Sequence, residues 1–533
     1  MSKDLSKSLG LLDVIAIGTG AMISSGFFLL PGIAAAKSGP AVILAYVFSG
    51  VLILPALFSM AELSTAMPRS GGTYFFISRS LGPMFGTIDG VGVWLAVGLL
   101  GAWGLDFKGL AERNVWLAML MKSSIALVGI GVYLATLTNL PPLIVSVIFG
   151  VIFMLLNVFG ARETSGLQIG MVLILFAIMA FFGFRGVTQV NPVHFKPFAP
   201  FGVGGILSTT GFVFVSYIGL TKVASVSEEV RNPERNIPLG MIISLIAVVA
   251  IYAVGVTVVV GVLPAEQLHG SLTPVADAAS LFLGPVGAIL ITIAAMLAFA
   301  TTGNAGILSA SRYLLAMGRD HTIPQYFSRL SKYKTPKNAI YFTSGLVFII
   351  VALVNVEHIA KLASTFQILV FAFVNIAVIV MRESGIKSYD PGFRSPLYPY
   401  MQIAGILVGI ILIPEMGIMS TMFALILVAL GVVWYNLWVR HRVSGVPAVA
   451  KVAERVAERM LAQDAKALGL DKELRQILKE KGIRREDPFA RMVGEANFLE
   501  VPPDRNAEDI LRHASRVLGE NSGVSPDLIL GAL

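Results

Sequence analysis

The sequence predicts an all-α membrane protein with twelve transmembrane helices. Of its 533 residues, 56% are hydrophobic and 14% are charged, and the mean hydropathy is +0.79. Soluble globular proteins have about 45–50% apolar and about 25% charged residues, so this composition excludes a soluble enzyme, a nucleic-acid binder and a disordered protein. Long apolar segments follow one another along most of the chain, and basic residues gather in every second loop between them. These observations predict a chain that crosses a membrane many times.

Twelve apolar segments lie between Leu11 and Arg440. Each must be helical, because hydrocarbon offers the backbone N–H and C=O groups no partner outside their own helix. The predicted spans are 11–36, 41–67, 115–136, 143–160, 166–184, 202–224, 237–262, 284–317, 339–354, 359–381, 400–415 and 417–440.

The basic residues predict the orientation of these spans. Lysine and arginine are enriched in cytoplasmic loops, and here they follow the even-numbered spans, whereas loops 137–142, 263–283 and 355–358 contain neither. Arg185 and Lys196 depart from the pattern, as does Lys37 between the first two spans. We therefore expect a multi-pass protein of the cytoplasmic (inner) membrane with both termini in the cytoplasm. The same bias accounts for the net charge of +8 without a nucleic-acid partner.

Two regions differ from the rest of the chain. Residues 1–441 form the predicted transmembrane domain, and within it residues 90–114 are an atypical insertion of one more apolar run and a charged stretch. A single crossing there would put Arg69 on the wrong side, so we favour a re-entrant or interfacial segment over two additional crossings. Residues 442–533 are polar and form a predicted small helical appendage in the cytoplasm, which could bind a regulatory partner or ligand.

The appendage is predicted to begin with an amphipathic helix. Val449, Val452, Val456 and Met460 share one helical face. Such a helix could lie on the membrane surface, bind a partner helix or pack on its own small domain.

Helix-breaking residues interrupt the first and sixth spans. Gly18, Gly20 and Gly26 lie in the first apolar run, together with serines 24 and 25, and Gly219 lies near the middle of the sixth span. Breaks five helices apart are typical of transporters built from two inverted five-helix repeats. A broken helix has free N–H groups at one new end, which attract an anion, and free C=O groups at the other, which attract a cation. Two such breaks side by side would bind a zwitterion.

Several motifs carry a resemblance to one transporter family. GAMISSGFF, MAELSTAMPRSGGTYFFISRSLGP, LNVFGARETSGLQ, EEVRNPERNIP, SASRYLLAMGRDHTIP and PGFRSPLYP occur in this order along the chain. Together they resemble the amino-acid permeases of the amino acid–polyamine–organocation superfamily. The resemblance implies twelve helices in a 5+5 inverted repeat, broken helices 1 and 6, and transport of an amino acid by alternating access.

The resemblance also implies two sets of substrate contacts. The set expected to meet the carboxylate is Ile23, Ser25 and Gly26. The set expected on the ammonium side and around the substrate side chain is Ser216, Tyr217, Ile218 and Gly219. Ser24 stands where the family usually has glycine, so its hydroxyl could join the site. The alternative is that these residues only let helices pack closely.

The coupling ion is expected to be H⁺ or Na⁺, and no other cofactor is expected. Lys222, just past the second break, could carry a proton in the bundle interior, or it could reach the surface or pair with a carboxylate. Thr301 and Thr302 could bind sodium beside the carbonyls of Ala16 and Ile17, or bond carbonyls of their own helix. The chain has no cysteine and no P-loop, metalloprotease or nucleophile-elbow motif, so we do not expect an enzyme.

The sequence thus predicts a secondary active transporter for an amino acid, ion-coupled or an exchanger. The apolar residues around both breaks favour a neutral substrate, and Thr221, where many family members have an acidic residue, disfavours a cationic one. The alternative is a transporter-like sensor that binds an amino acid and signals through the tail. A tail that only controls the transport rate is a third interpretation.

Overall fold

The regular structure of this protein is helical. The computed structural model describes residues 7–85, 116–135, 140–418 except 160, 218, 354 and 355, parts of 421–439, residues 447–467 and parts of 509–516. Within these residues every multi-residue element is a helix, and the β-pairing consists of one isolated bridge between Leu9 and Val230. The all-α class predicted from the sequence is therefore confirmed for the described part of the chain.

The α-helices of the described residues are numbered here in chain order. They are α1 (Leu11–Met22), α2 (Ser25–Phe28), α3 (Leu30–Ser38), α4 (Val42–Leu52), α5 (Leu54–Ala66), α6 (Gly72–Ser80), α7 (Trp116–Ala135), α8 (Pro142–Phe159), α9 (Ala161–Val187), α10 (Gly202–Val213), α11 (Gly219–Ser225), α12 (Pro233–Val262), α13 (Ala265–Leu268), α14 (Pro274–Arg319), α15 (Lys337–Leu353), α16 (Val356–Glu383), α17 (Tyr400–Glu415) and α18 (Ala448–Ala467). Short 3₁₀ turns cover Gly39–Ala41, Pro192–Phe195, Phe214–Tyr217, Ser227–Glu229 and Gln325–Ser328, and a π-turn covers Tyr435–Val439.

Seven helical segments of the described chain are long and apolar enough to cross a membrane, judged by length and composition. They are Leu11–Phe28, Leu30–Ala66, Pro142–Phe159, Ile169–Val187, Gly202–Ser225, Pro233–Val262 and Pro274–Arg319. This is a multi-pass membrane protein. The total of twelve spans and the inverted repeat stay predictions.

Helix α14 shows how a local backbone feature marks the start of a span. The helix runs through 46 residues, but Gly284 has φ +63° and ψ −156°, which bends it sharply. Glycine adopts this conformation without a Cβ clash, and the following Pro285 has no N–H to continue the hydrogen bonding. The predicted eighth span therefore begins at the residue where the long helix bends.

Helix α1 lies in the core of the compact unit Met1–Arg455. It packs against α9, α11, α12 and α14, and its residues are buried from Ala16 to Met22. A helix that is apolar and buried all round must be surrounded by other helices. Its broken end is therefore held inside the protein and not at the surface.

The chain divides into two compact units between Arg455 and Val456. Helix α18 is present where the amphipathic helix was predicted, over residues 449–460. The predicted insertion at 90–114 and the predicted domain boundary after residue 441 lie outside the described residues.

Candidate functional site

The first span is broken at Ile23 and Ser24. Ile23 has φ −76° and ψ 94°, and Ser24 has φ −157° and ψ −120°, so neither is helical. Helix α1 ends before them, and α2 begins at Ser25 with the Ser24 carbonyl accepting from the N–H groups of Phe27 and Phe28. The N–H groups of Ser25 and Gly26 point out of the first turn of the new helix, where no earlier turn supplies a carbonyl.

Two of the glycines expected at this break lie instead inside α1. A Cβ on Gly18 would come within 2.8 Å of Ser244 Oγ, and a Cβ on Gly20 would come within 3.0 Å of Thr301. These glycines therefore allow close helix packing. Of the two interpretations of Gly18 and Gly20, helix breaking and close packing, the structure supports close packing.

The sixth span changes its hydrogen bonding at Phe214. Helix α10 ends at Val213, a 3₁₀ turn covers Phe214–Tyr217, and α11 begins at Gly219. The Ser364 hydroxyl donates to the carbonyl of Phe212 at 2.8 Å and accepts from the N–H of Val215 at 2.9 Å. A side chain from α16 thus supports the backbone where the helix changes type. Ile218, one of the predicted contacts, lies outside the described residues.

The two interruptions are in direct contact. A Cβ on Gly26 would lie 2.3 Å from Ser216 Oγ and 2.8 Å from the Tyr252 hydroxyl. A Cβ on Gly219 would lie 2.6 Å from the Gly18 carbonyl oxygen and 2.9 Å from the Met22 amide nitrogen. Each glycine therefore lets one broken helix approach the backbone or a small side chain of the other. The structure brings Gly26, Ser216 and Gly219 together, as the two-break hypothesis requires.

Three buried tyrosines surround the contact. Tyr46 donates to the Gly26 carbonyl at 2.5 Å, Tyr252 donates to the Met22 carbonyl at 2.8 Å, and Tyr217 donates to the Tyr46 carbonyl at 2.8 Å. The Tyr46 and Tyr252 rings lie 5.1 Å apart, edge to face. Sequence reasoning missed Tyr46 and Tyr252. The available signal was a tyrosine in the middle of an apolar span, since a buried tyrosine hydroxyl needs a partner.

The Ser24 hydroxyl has no partner among the described residues. Ser24 is completely buried and Ser25 is 2% exposed, yet the Ser24 Oγ forms no hydrogen bond within the described chain. An unsatisfied buried hydroxyl costs about 1–3 kcal/mol. Such a group at a helix break is a natural contact for a polar ligand.

The predicted ion-site threonines lie at the carbonyl of Gly20. Thr302 Oγ1 donates to this oxygen at 2.7 Å and Thr301 Oγ1 at 3.1 Å, and Thr301 also donates to Ala298 of its own helix at 2.8 Å. Gly20 lies about one helical turn beyond Ala16 and Ile17, the carbonyls expected beside these threonines. Both threonines are fully buried, and they join α14 to the broken end of α1.

Lys222 is fully buried on α11. Its Nζ donates to the Thr302 carbonyl at 3.0 Å, and within the described residues it forms no ion pair. The two alternative interpretations, a lysine that reaches the surface and a lysine paired with a carboxylate, therefore do not describe this structure. A hydrogen-bonded path instead runs from Lys222 through Thr302 to Gly20, linking α11, α14 and α1.

Three buried acidic residues at the ends of spans form ion pairs. Glu228 bonds Arg319 at 3.0 Å, Glu229 bonds Arg312 at 3.0 Å, and Glu62 bonds Arg382 at 2.6 Å. In the sequence these glutamates lie at predicted cytoplasmic span ends beside Arg69, Arg231 and Arg235, which suits either surface ion pairs or a cytoplasmic gate. The structure also pairs them with arginines that are distant in the sequence, because the ends of different helices meet.

Glu228 is held in its charged form by its partners. Burial raises its pKa, but the hydrogen bond from the Ser70 N–H, at 2.9 Å, and the nearby charge of Arg319 lower the pKa by more. The net pKa lies below the ordinary value for glutamate. Its stabilising contribution is therefore present at neutral pH and is lost only when the pH falls through that lowered pKa.

We expect Arg382→Met to destabilise the protein strongly. Glu62 is completely buried and accepts four hydrogen bonds, from Nε and Nη2 of Arg382, the Tyr389 hydroxyl and the Ser395 N–H. Loss of the arginine leaves a buried carboxylate unpaired, which costs about 3–5 kcal/mol. Thermal unfolding in detergent would measure the change.

The matched control is Arg394→Met, which removes an exposed arginine nearby. The double variant Glu62→Gln/Arg382→Met should recover part of the lost stability, because it removes the unpaired charge. Equal unfolding temperatures for Arg382→Met and Arg394→Met would contradict the assignment.

Two broken helices that meet inside a multi-pass helical bundle define a membrane transport protein. The chain belongs to the amino acid permease family, whose sequence model matches residues 9–447. The resemblance stated from the motifs is thereby confirmed.

Several named relatives match most of the chain. It is 29% identical over 449 residues to the branched-chain amino acid permease BcaP of Bacillus subtilis (strain 168), which spans 82% of this chain and 94% of that protein. It is 28% identical over 421 residues to the methylthioribose transporter of the same organism, spanning 75% of this chain and 87% of the relative. It is also 28% identical over 405 residues to cationic amino acid transporter 1 of Arabidopsis thaliana. This match covers 71% of the present chain and 63% of the relative.

Proposed function

We propose that this protein is a secondary active transporter that moves a neutral amino acid across the cytoplasmic membrane by alternating access. The observation that carries the proposal is the direct contact between Gly26 of the first break and Ser216 of the second. Membership of the amino acid permease family supports an amino acid as the substrate. The transporter would have twelve spans, an inverted repeat and both termini in the cytoplasm.

The first break offers groups for a carboxylate. The N–H groups of Ser25 and Gly26 begin a helix, where the positive end of the dipole favours an anion. The Ser24 hydroxyl, which forms no hydrogen bond within the described residues, can donate a further hydrogen bond. Carbonyls at the end of α1 and in the turn Phe214–Tyr217 would take the ammonium group, because these backbone ends carry the opposite partial charge.

Substrate binding requires the two breaks to separate. A single added carbon at Gly26 would overlap Ser216, so the conformation described here holds the breaks closed against each other. Entry of an amino acid must move one broken helix away from the other. Opening toward one side of the membrane and then the other is the motion of alternating access.

The charges around the breaks favour a neutral side chain. None of the side chains placed here at the breaks is a carboxylate, and the nearby charged group is the buried ammonium of Lys222. A cationic substrate would be repelled by this ammonium without a compensating acidic group. The named relatives include permeases for branched-chain and for cationic amino acids, and the local charge supports the neutral choice between them.

We also propose that a proton is the coupling ion. Lys222 Nζ already bonds the Thr302 carbonyl, and both threonine hydroxyls donate their hydrogens to Gly20. A sodium ion bound there would lie close to an ammonium group, which is electrostatically unfavourable. Protonation and deprotonation of Lys222 would instead change the charge beside the broken end of α1.

The test is uptake into proteoliposomes made with the purified full-length protein. We expect accumulation of labelled leucine when the pH gradient is imposed, and no loss when sodium is replaced by choline. Unlabelled leucine should compete for uptake, whereas lysine and methylthioribose should not.

Other results would change the proposal in defined ways. Preferential competition by lysine would overturn the neutral-substrate assignment, and an absolute need for sodium would overturn proton coupling. Binding of leucine without accumulation or exchange would favour the sensor interpretation. No observation on the described residues supports that interpretation at present.

A further inference from the structure

A large basic cavity lies away from the two breaks, at the end of α14. Its volume is about 960 Å³, similar to that of known small-molecule sites, which span about 300–1,000 Å³. It is formed by the segment before α6, by α6 itself, and by the end of α14 with the segment that follows it. The positive-inside pattern predicts that this end of the protein faces the cytoplasm.

The lining of the cavity is strongly cationic. Its charged residues are Arg69, Arg79, Arg319, Arg329, Lys332 and Lys334, with Asp320 as the carboxylate. Six positive charges and one negative charge give a formal net charge of +5. Such a concentration of like charge in a concave surface is unfavourable by itself and attracts an anion strongly.

Protein carboxylates neutralise only part of this charge. Arg79 forms two hydrogen bonds to Asp320, at 2.6 and 2.8 Å, and Arg319 bonds Glu228 at 3.0 Å. In the described part of the chain, Arg329, Lys332 and Lys334 form no ion pair, although the Lys332 ammonium lies 4.9 Å from the Tyr333 ring centre. Three cations of the cavity are therefore available to a ligand.

The lining also contains a buried hydroxyl. Ser70 is 2% exposed, and its Oγ forms no hydrogen bond within the described residues. Its N–H is fixed to Glu228 Oε2 at 2.9 Å, and Gly71, with φ +114°, turns the chain directly after it. The serine backbone is therefore held in place, and its hydroxyl, which lies near enough to Glu228 to help lower the pKa of that carboxyl, is a buried donor of the lining.

We propose that this cavity binds a phosphorylated anion through Ser70, Arg329, Lys332 and Lys334. Phosphate oxygens accept several charge-assisted hydrogen bonds at once, and arginine matches their geometry with two parallel donors. The anion can be a soluble phosphate compound or the headgroup of an anionic lipid, since both present the same chemistry. This site is separate from the substrate site and does not depend on the identity of the substrate.

Binding there would act on the sixth span. Arg319 lines the cavity and also holds Glu228, and Glu228 lies in the 3₁₀ turn that follows α11. A bound phosphate would compete with Glu228 for this arginine. The anion would therefore loosen the predicted cytoplasmic end of the broken helix and change the rate of transport.

The test uses the full-length protein in phosphatidylcholine nanodiscs. Titration calorimetry with inorganic pyrophosphate measures a soluble anion, and the unfolding temperature in nanodiscs with and without phosphatidic acid measures a lipid. The cavity variant is Arg329→Gln/Lys332→Gln/Lys334→Gln. Its matched control is Lys337→Gln/Lys387→Gln/Arg394→Gln, which removes the same charge from exposed positions outside the cavity.

We expect the cavity variant to lose at least about tenfold in affinity, since hydrogen bonds to charged groups are lost, while the control keeps its affinity. Ser70→Ala should weaken binding with the charge unchanged, and added salt should weaken binding to the parent protein. Pyrophosphate binding that depends on the cavity identifies a soluble ligand, and stabilisation by phosphatidic acid that depends on it identifies a lipid headgroup. If neither probe binds, or both triple variants respond alike, the proposal is overturned.

Discussion

Replacing Gly26 by alanine is expected to reduce amino acid uptake by about tenfold or more, because overpacking of a tight contact typically costs about 1–3 kcal/mol. The new Cβ would lie 2.3 Å from Ser216 Oγ and 2.5 Å from Ser216 Cβ, so the two broken helices could not close against each other. Initial rates of leucine uptake into proteoliposomes would measure the loss.

A control and a rescue separate this contact from general damage. Gly204→Ala adds the same methyl group to the sixth span where no atom lies within 4 Å, and it should transport normally. Removing the Ser216 side chain in Gly26→Ala/Ser216→Gly should recover part of the closed packing, measured as unfolding temperature. Full transport by Gly26→Ala alone would exclude the contact between the breaks as the site.

Replacing Lys222 by glutamine is expected to abolish accumulation driven by a pH gradient. The side chain is fully buried, and its ammonium bonds the Thr302 carbonyl beside the broken end of α1. Glutamine can keep a hydrogen bond but cannot take up and release a proton at this place. Leucine counterflow, which needs no gradient, should continue at a measurable rate, so the two assays together isolate coupling from binding.

The matched control for this prediction is Lys337→Gln, because Lys337 is an exposed lysine at the start of α15. It should accumulate leucine like the parent protein. Gradient-driven accumulation that persists in Lys222→Gln would remove this lysine from the coupling mechanism. The assignment of the substrate site would then depend on the Gly26 result alone.

The sequence predicted the two interruptions but not their structural details. Glycine and serine inside an apolar run indicated that the first span is weak, and the break lies in this run, at Ile23 and Ser24. Gly18 and Gly20 gave the same local signal, yet they remain helical because Ser244 and Thr301 pack against them. Local propensity cannot distinguish these cases, since distant residues decide them.

The hydrogen bonds that fix the candidate site could not be predicted from local patterns. Tyr252 bonds the Met22 carbonyl across 230 positions of sequence, and Lys222 bonds Thr302 across 80. Their residue types gave a partial signal, because a tyrosine or lysine in an apolar span needs a polar partner. Which group each one meets depends on the packing of several helices.

Under the proposed alternating access, hydration of the Arg312–Glu229 pair would be the event that opens this end of the protein. The two side chains are only 1% and 4% exposed, and separating them in a dry interior would leave two uncompensated charges. Once water reaches the pair, the attraction falls several-fold with the rise in dielectric constant, and separation becomes easy. Hydration and separation of the ion pair therefore reinforce each other. We expect this end of the protein to be either closed or open, with no stable partly open state.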